Sequence, residues 1–191
     1  MRVGRSVVFG TAVLALALTT ACSVKVDKNG NGSDKDVDIK TPVGDLSVHK
    51  NGAPQDTGIE LYAGARPIQE NDDDTARVSL NLPGFGMKVA TSTFESDDAP
   101  EKVLAFYRGS MKQHFGHYVE CRGSMNVNVS KDGDHTDFSS PVSCKNEGNG
   151  STIELKTGTE GNQHDVGVTP KGKGSMIRLI YVRLRTKNDP V

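Results

Sequence analysis

Residues 96–118, SDDAPEKVLAFYRGSMKQHFGHY, decide how the remainder of the chain must fold. Val103, Phe106, Tyr107, Met111 and Phe115 recur at the three- and four-residue spacing that gathers side chains on one face of an α-helix, while Lys102, Arg108, Lys112 and Gln113 fall elsewhere. Asp98 reads as the N-cap, with Pro100 in the first turn and Glu101 three residues on, a capping-box start that also sets acids near the positive end of the helix dipole. Gly116 reads as the stop. Gly109 inside the helix costs about 1 kcal/mol against alanine, and a close approach to a sheet would account for it. The apolar stripe needs a flat partner, and the flanking sequence supplies strands.

Upstream, residues 76–82 (ARVSLNL) alternate, with Val78, Leu80 and Leu82 on one side, and 87–94 resume after Pro83-Gly84, so an antiparallel hairpin is expected. Downstream, 118–121, 125–130, 136–144, 152–156, 165–169 and 176–185 read as short strands, with Asp132-Gly133, Asn149-Gly150 and 172–174 as turn chemistry. The last of these, within SMIRLIYVRLR, is apolar on both faces, which predicts a central strand with Arg178, Arg183 and Arg185 reaching its rims. The expected fold class is α+β: one main helix packed on an antiparallel sheet, over residues 58–187.

Two motifs are carried by this region, LYAGA at 61–65 and P-E-K-V-L-A-F-Y-R at 100–108. With the strand pair between them and the late strand, they resemble a loose group of bacterial envelope proteins that share a YPGA-type opening and a P-E-x-V-x-x-F-Y helix. Ala63 stands where that group has Pro, and Gly116-His117 where it has Gly-Trp. The resemblance implies the fold and carries no activity.

At the N-terminus, Arg2 and Arg5 precede a charge-free stretch from Ser6 to Val24 whose apolar heart, 7–18, is twelve residues long. A membrane-spanning helix needs roughly 20 apolar residues, whereas a basic start, a short apolar run and small residues before a cut describe a secretory signal peptide. The small residues are Thr19, Thr20 and Ala21, and Cys22 follows. A plain signal peptide does not call for that cysteine. The pattern resembles the bacterial lipobox, which implies cleavage before Cys22 and acylation of its sulfur and new amino group. Two or more acyl chains, at about 0.8 kcal/mol per buried CH₂, anchor a protein stably. By the same resemblance Ser23, in place of Asp, implies passage to the periplasmic face of the outer membrane.

Residues 1–21 are therefore assigned to the signal peptide and 22–57, rich in Gly, Asn, Asp and Lys, to a flexible polar tether that cannot bury enough to offset its ordering entropy. One exception stands inside it: Val37 and Ile39 alternate, as do Leu46 and Val48, around Thr41-Pro42-Val43-Gly44, a pattern that could form a short hairpin. Asp27, Asn29, Asn31, Gly32 and Asp38 also match the spacing of a calcium loop, although no amphipathic helix flanks them and Asp34 stands where a hydrophobic residue normally locks such a loop.

Composition narrows the function classes. The leader removes two of the 23 basic residues and no acid, leaving 21 against 24 and a net charge of −3, which argues against nucleic acid as a partner. Cys121 and Cys144 form an even pair that in an oxidising compartment is expected to be a disulfide; the competing set is a metal site from His114, His117, Cys121 and Cys144. His49, His114, His117, His135 and His164 fall in no nucleophile–base, zinc-protease or phosphate-loop motif. The expectation is a non-catalytic, cofactor-free binding or scaffold module held to the membrane by its N-terminal lipid, its partner another envelope protein or the cell wall. A metal- or calcium-binding envelope lipoprotein and an envelope hydrolase are the alternatives.

Overall fold

The computed structural model describes residues 22–28, 35–50, 54–68, 76–123, 125, 138–144 and 148–186. Ten strands share one sheet: β1 (Ser23–Lys28), β2 (Lys35–Thr41), β3 (Gly44–His49), β4 (Arg66–Pro67), β5 (Ala76–Leu82), β6 (Phe85–Ser96), β7 (Val119–Arg122), β8 (Ile153–Thr159), β9 (Asn162–Lys171) and β10 (Gly174–Thr186). The spatial order is β1-β2-β3-β5-β6-β10-β9-β8-β7, every pairing is antiparallel, and β4 joins the far end of β6. The helix α1 (Pro100–Phe115) connects β6 to β7, and a short 3-10 turn covers Pro54–Thr57. The chain is thus sheet-dominated α+β.

Strand β10 is central, as its two apolar faces require. Its register with β6 and β9 sets Ile177 beside Phe94 and Val168, and Leu179 beside Ser92 and Val166. Phe94, Val166, Val168, Ile177 and Leu179, with Ile153 and Leu155 of β8, form the floor on which Val103, Leu104, Tyr107 and Met111 of α1 pack. Ile59 and Tyr62 close the same core. The Tyr107 hydroxyl accepts the backbone N–H of Tyr62 at 3.2 Å, and the ring of Phe106 stands edge-on to Tyr62 with centroids 5.2 Å apart. So the LYAGA opening and the helix are packed against each other.

The helix begins one residue later than its sequence suggests. Ala99 is the N-cap, and it makes no side-chain cap bond. The Asp98 carboxylate is engaged elsewhere: Oδ2 accepts the Tyr62 hydroxyl at 2.7 Å and Oδ1 accepts Lys102 Nζ at 2.9 Å. Pro100 at the first position supplies the start instead. Gly116 does end the helix, at φ 81°, with its N–H on the Lys112 carbonyl at 3.1 Å. At Gly109 an added Cβ would meet nothing within 4 Å, so no close helix–sheet contact explains that glycine.

The larger correction concerns residues 22–57. Three strands run through the segment whose composition reads as tether, and the sheet continues from them without a break into the helix-bearing part, so residue 58 does not begin a separate unit. The physical reason is economy of apolar residues: each strand brings two aliphatic side chains on one face, too few to fold alone yet enough to extend an existing edge. The hairpin expected around Thr41-Pro42-Val43-Gly44 is present, pairing Val37 with Val48 and Ile39 with Leu46. Of the strand expected at 136–144, residues 138–144 are described and contain an isolated bridge, Pro141 to Thr159, while 126–137 lie outside the described residues.

Candidate functional site

The register across β1, β2, β3, β5, β6 and β10 lines up two aliphatic rows on one face. Val24, Ile39, Leu46, Leu80, Met87 and Leu184 make the first; Val26, Val37, Val48, Val78, Val89 and Val182 make the second. On the opposite face of β8, β9 and β10 lies α1, which touches none of β1, β2, β3 or β5 to any appreciable extent. None of the residues in either row belongs to the core beneath the helix. Among the described residues the exposed large hydrophobics are Val24 (64 %), Val26 (48 %), Val43 (67 %) and Leu82 (41 %), all in this half of the sheet.

Strand polarity gathers several of these features at one end. β1 starts with Cys22 immediately before it, β2 and β3 turn at Pro42-Val43, β5 and β6 turn at Pro83-Gly84, and β10 finishes at Thr186 opposite Phe85. Cys22 is exposed and outside any disulfide. Val43 and Leu82 are the apolar tips of the two neighbouring turns.

On the helix-bearing face, the same half of the sheet is polar. Ser79, Asn81, Gly86, Lys88, Arg183 and Arg185 line an open groove of about 310 Å³. Ser79, Lys88 and Arg183 are cross-strand neighbours, as are Asn81, Gly86 and Arg185. Arg185 donates to Asn81 Oδ1 at 3.1 Å, and Lys88 Nζ lies 5.5 Å from the centre of the Tyr181 ring. Gly86 leaves the floor open: the nearest atoms to an added Cβ there belong to the Arg185 side chain. Arg183 and Arg185 were legible as rim residues of the last strand. Lys88 carries no such signal, and only the register that sets it beside Arg183 reveals the cluster.

Where the groove meets the helix, His164 is held between two rings, with Phe115 and Tyr181 each 4.6 Å away centre to centre. Its Nδ1 lies 2.8 Å from the Thr57 carbonyl oxygen. Burial holds the imidazole below its ordinary pKa, against the opposing pull of that carbonyl. A neutral ring donating Nδ1–H to Thr57 fits both facts. His164 is therefore a packed structural residue.

Of the two candidate metal sets, the one built on Cys121 and Cys144 is not assembled, and the calcium-loop set lies partly outside the described residues. Cys121 and Cys144 are joined in a disulfide, with Cα atoms 5.3 Å apart, which withdraws both thiolates from any ligand set. His114 faces Glu60 at 3.7 Å. In the calcium-loop pattern, residues 29–34, including Asn29, Asn31 and Gly32, lie outside the described residues. Asp27 falls in β1 opposite Asp36. Asp38 lies in β2, its carboxyl held below the usual range first by a hydrogen bond from Ser47 and then by the nearby His49, whose Nε2 is 3.5 Å away. Among the described residues no group of three or more His, Cys, Asp or Glu side chains is placed to hold a metal ion.

A buried polar cluster lies on the other face of β8 and β9. Lys156 Nζ and Glu154 Oε1 are 3.5 Å apart with both side chains buried. Asp165, opposite Lys156 in the register, is fully buried, and neither of its oxygens has a hydrogen-bond partner among the described residues. Burial pushes its carboxyl up to about 7, against the pull of Lys156. Nothing in the spacing of residues 154–165 signals this cluster, because alternation in a strand reports which face a residue shares and not which face is covered.

The chain matches no protein-family model, no curated protein and no solved structure. No helix among the described residues is long and apolar enough to cross a membrane.

Proposed function

We propose that the protein is a lipid-anchored component of a bacterial cell envelope that acts as a non-catalytic binding or scaffold module. The observation that carries this reading is the sequence around Cys22: two arginines, a twelve-residue apolar run and small residues lead directly to it. The pairing of the other two cysteines supports it, since disulfides persist in the oxidising compartments that such a leader addresses. The sheet supports the module half of the reading. Half of it is devoted to an aliphatic face and a shallow basic groove, surfaces suited to contact with a partner.

The test is metabolic labelling with palmitate in a bacterium that processes lipoproteins, with Cys22→Ser as control. Label on the wild-type chain, its loss in the variant, and a mass showing the chain to begin at residue 22 are the expected results. An unlabelled, uncleaved chain would remove the anchor and the address together.

A further inference from the structure

We propose that the Cys22 end of the sheet rests on the surface of the membrane that holds the anchor, with Val24, Val43 and Leu82 inserted among the lipids and Lys88, Arg183 and Arg185 placed against anionic headgroups. This rests on the reading of Cys22 as the lipidated residue.

The first argument is continuity. Had residues 22–57 been a loose leader, an anchor at Cys22 would have left the domain free to move far from the bilayer. Instead β1 begins at Ser23, so an acylated Cys22 fixes one end of the sheet at the lipid surface with no slack. Ser23 lies beside Lys40, which places the Pro42-Val43 turn next to the anchor, and Gly44 lies against the backbone and side chain of Leu82 at the following turn.

The second argument is what that end displays. Among the described residues four large apolar side chains are exposed, Val43 (67 %), Val24 (64 %), Val26 (48 %) and Leu82 (41 %), and three of them, Val43, Val24 and Leu82, fall within two positions of one edge of the sheet. At about 3.3 Å per residue, Arg185 is one position behind the tips, and Lys88 and Arg183 within about 10 Å of them. Long basic side chains at that depth reach the phosphates of a bilayer whose acyl region receives the tips. On the helix-bearing face, in the two cross-strand rows nearest this end, Lys25, Lys40, Lys88, Arg183 and Arg185 outnumber Asp38 and Asp45, and the next row adds Asp27 and Asp36 against Arg77, so the end itself is basic on a chain whose overall charge is −1.

Full-length protein carrying a photo-crosslinking amino acid at residue 43, 82 or 173 distinguishes the possibilities, since Lys173 lies in the turn at the opposite end of β10. Irradiation in native membranes is expected to attach phospholipid at 43 and 82 and none at 173. In vesicles, changing pure phosphatidylcholine to a mixture with phosphatidylglycerol is expected to raise the yield at 43 and 82, and each of Lys88→Gln, Arg183→Gln and Arg185→Gln to cut that rise by about fivefold. If palmitate is found on Cys22 while 43 and 82 capture no more lipid than 173, or capture a second copy or another protein instead, the docking proposal is overturned and the anchor stands. If palmitate is absent but 43 and 82 still capture lipid, the docked end is supported and the anchor reading fails. Absence of both overturns both.

Discussion

Asp165 shows how a single side chain can set the pH response of a fold. Its carboxyl is raised to about 7 by burial, against an ordinary value of 3.8. Below pH 4 both the folded and the unfolded chain hold the proton, so the contribution is fully present. Between pH 4 and about 7 the unfolded chain has released it and the folded one has not, so stability falls by a little over 1 kcal/mol per unit, then levels off. His164 acts in the opposite sense. Its folded pKa is lowered, so its contribution grows as pH rises toward the ordinary 6.5. Comparing the wild type with Asp165→Asn cancels the histidine term. The expected result is a melting temperature that drops more steeply between pH 5 and 7.5 in the wild type than in the variant. Parallel profiles for the two proteins would show that Lys156 keeps Asp165 ionised throughout.

At the scale of elements, the helix was the most legible part of the sequence and still misread at two positions. Period and stop were clear because an amphipathic stripe and a terminal glycine are local signals. The start was not, because Asp98 could satisfy a helix N-terminus or a distant tyrosine, and only tertiary packing decides for Tyr62. Gly109 invites a packing explanation that the structure does not support. With open space around it and no left-handed backbone requirement, Gly109→Ala is expected to raise stability by about 0.5–1 kcal/mol, measurable as a higher denaturant midpoint at unchanged slope. A loss of stability would reveal a neighbour that the static packing does not show. The strand β7 depends on different chemistry: among the described residues it pairs only with β8, and the Cys121–Cys144 disulfide ties it to the segment that pairs with the same strand through Pro141. Bidentate bonds from Arg108 to Glu120, at 2.9 and 2.8 Å, hold it to the helix.

For the whole molecule, the sequence announced strands well and the extent of the sheet poorly. Residues 76–82 and 176–185 fall in β5 and β10 because alternation and length suffice there. Residues 23–28 and 35–41 are dominated by charged and polar side chains, and their two aliphatic positions per strand become informative only when the register places six of them side by side. The candidate surface was hidden for the same reason. A row that crosses six strands has no footprint in any one of them.

Strands β6 and β10 are long, at 12 and 13 residues, and serve both halves of the sheet: one end of each lies beneath the helix and the other carries the outer strands. Such a spine implies a graded rather than all-or-none loosening. Amide hydrogen exchange is expected to be fastest in β1, slower through β2 and β3, and slowest in the stretch of β10 around Ile177 and Leu179, as a zip opens from its free end. Uniform protection from β1 to β10 would mean that the outer strands are clamped by something on their aliphatic side.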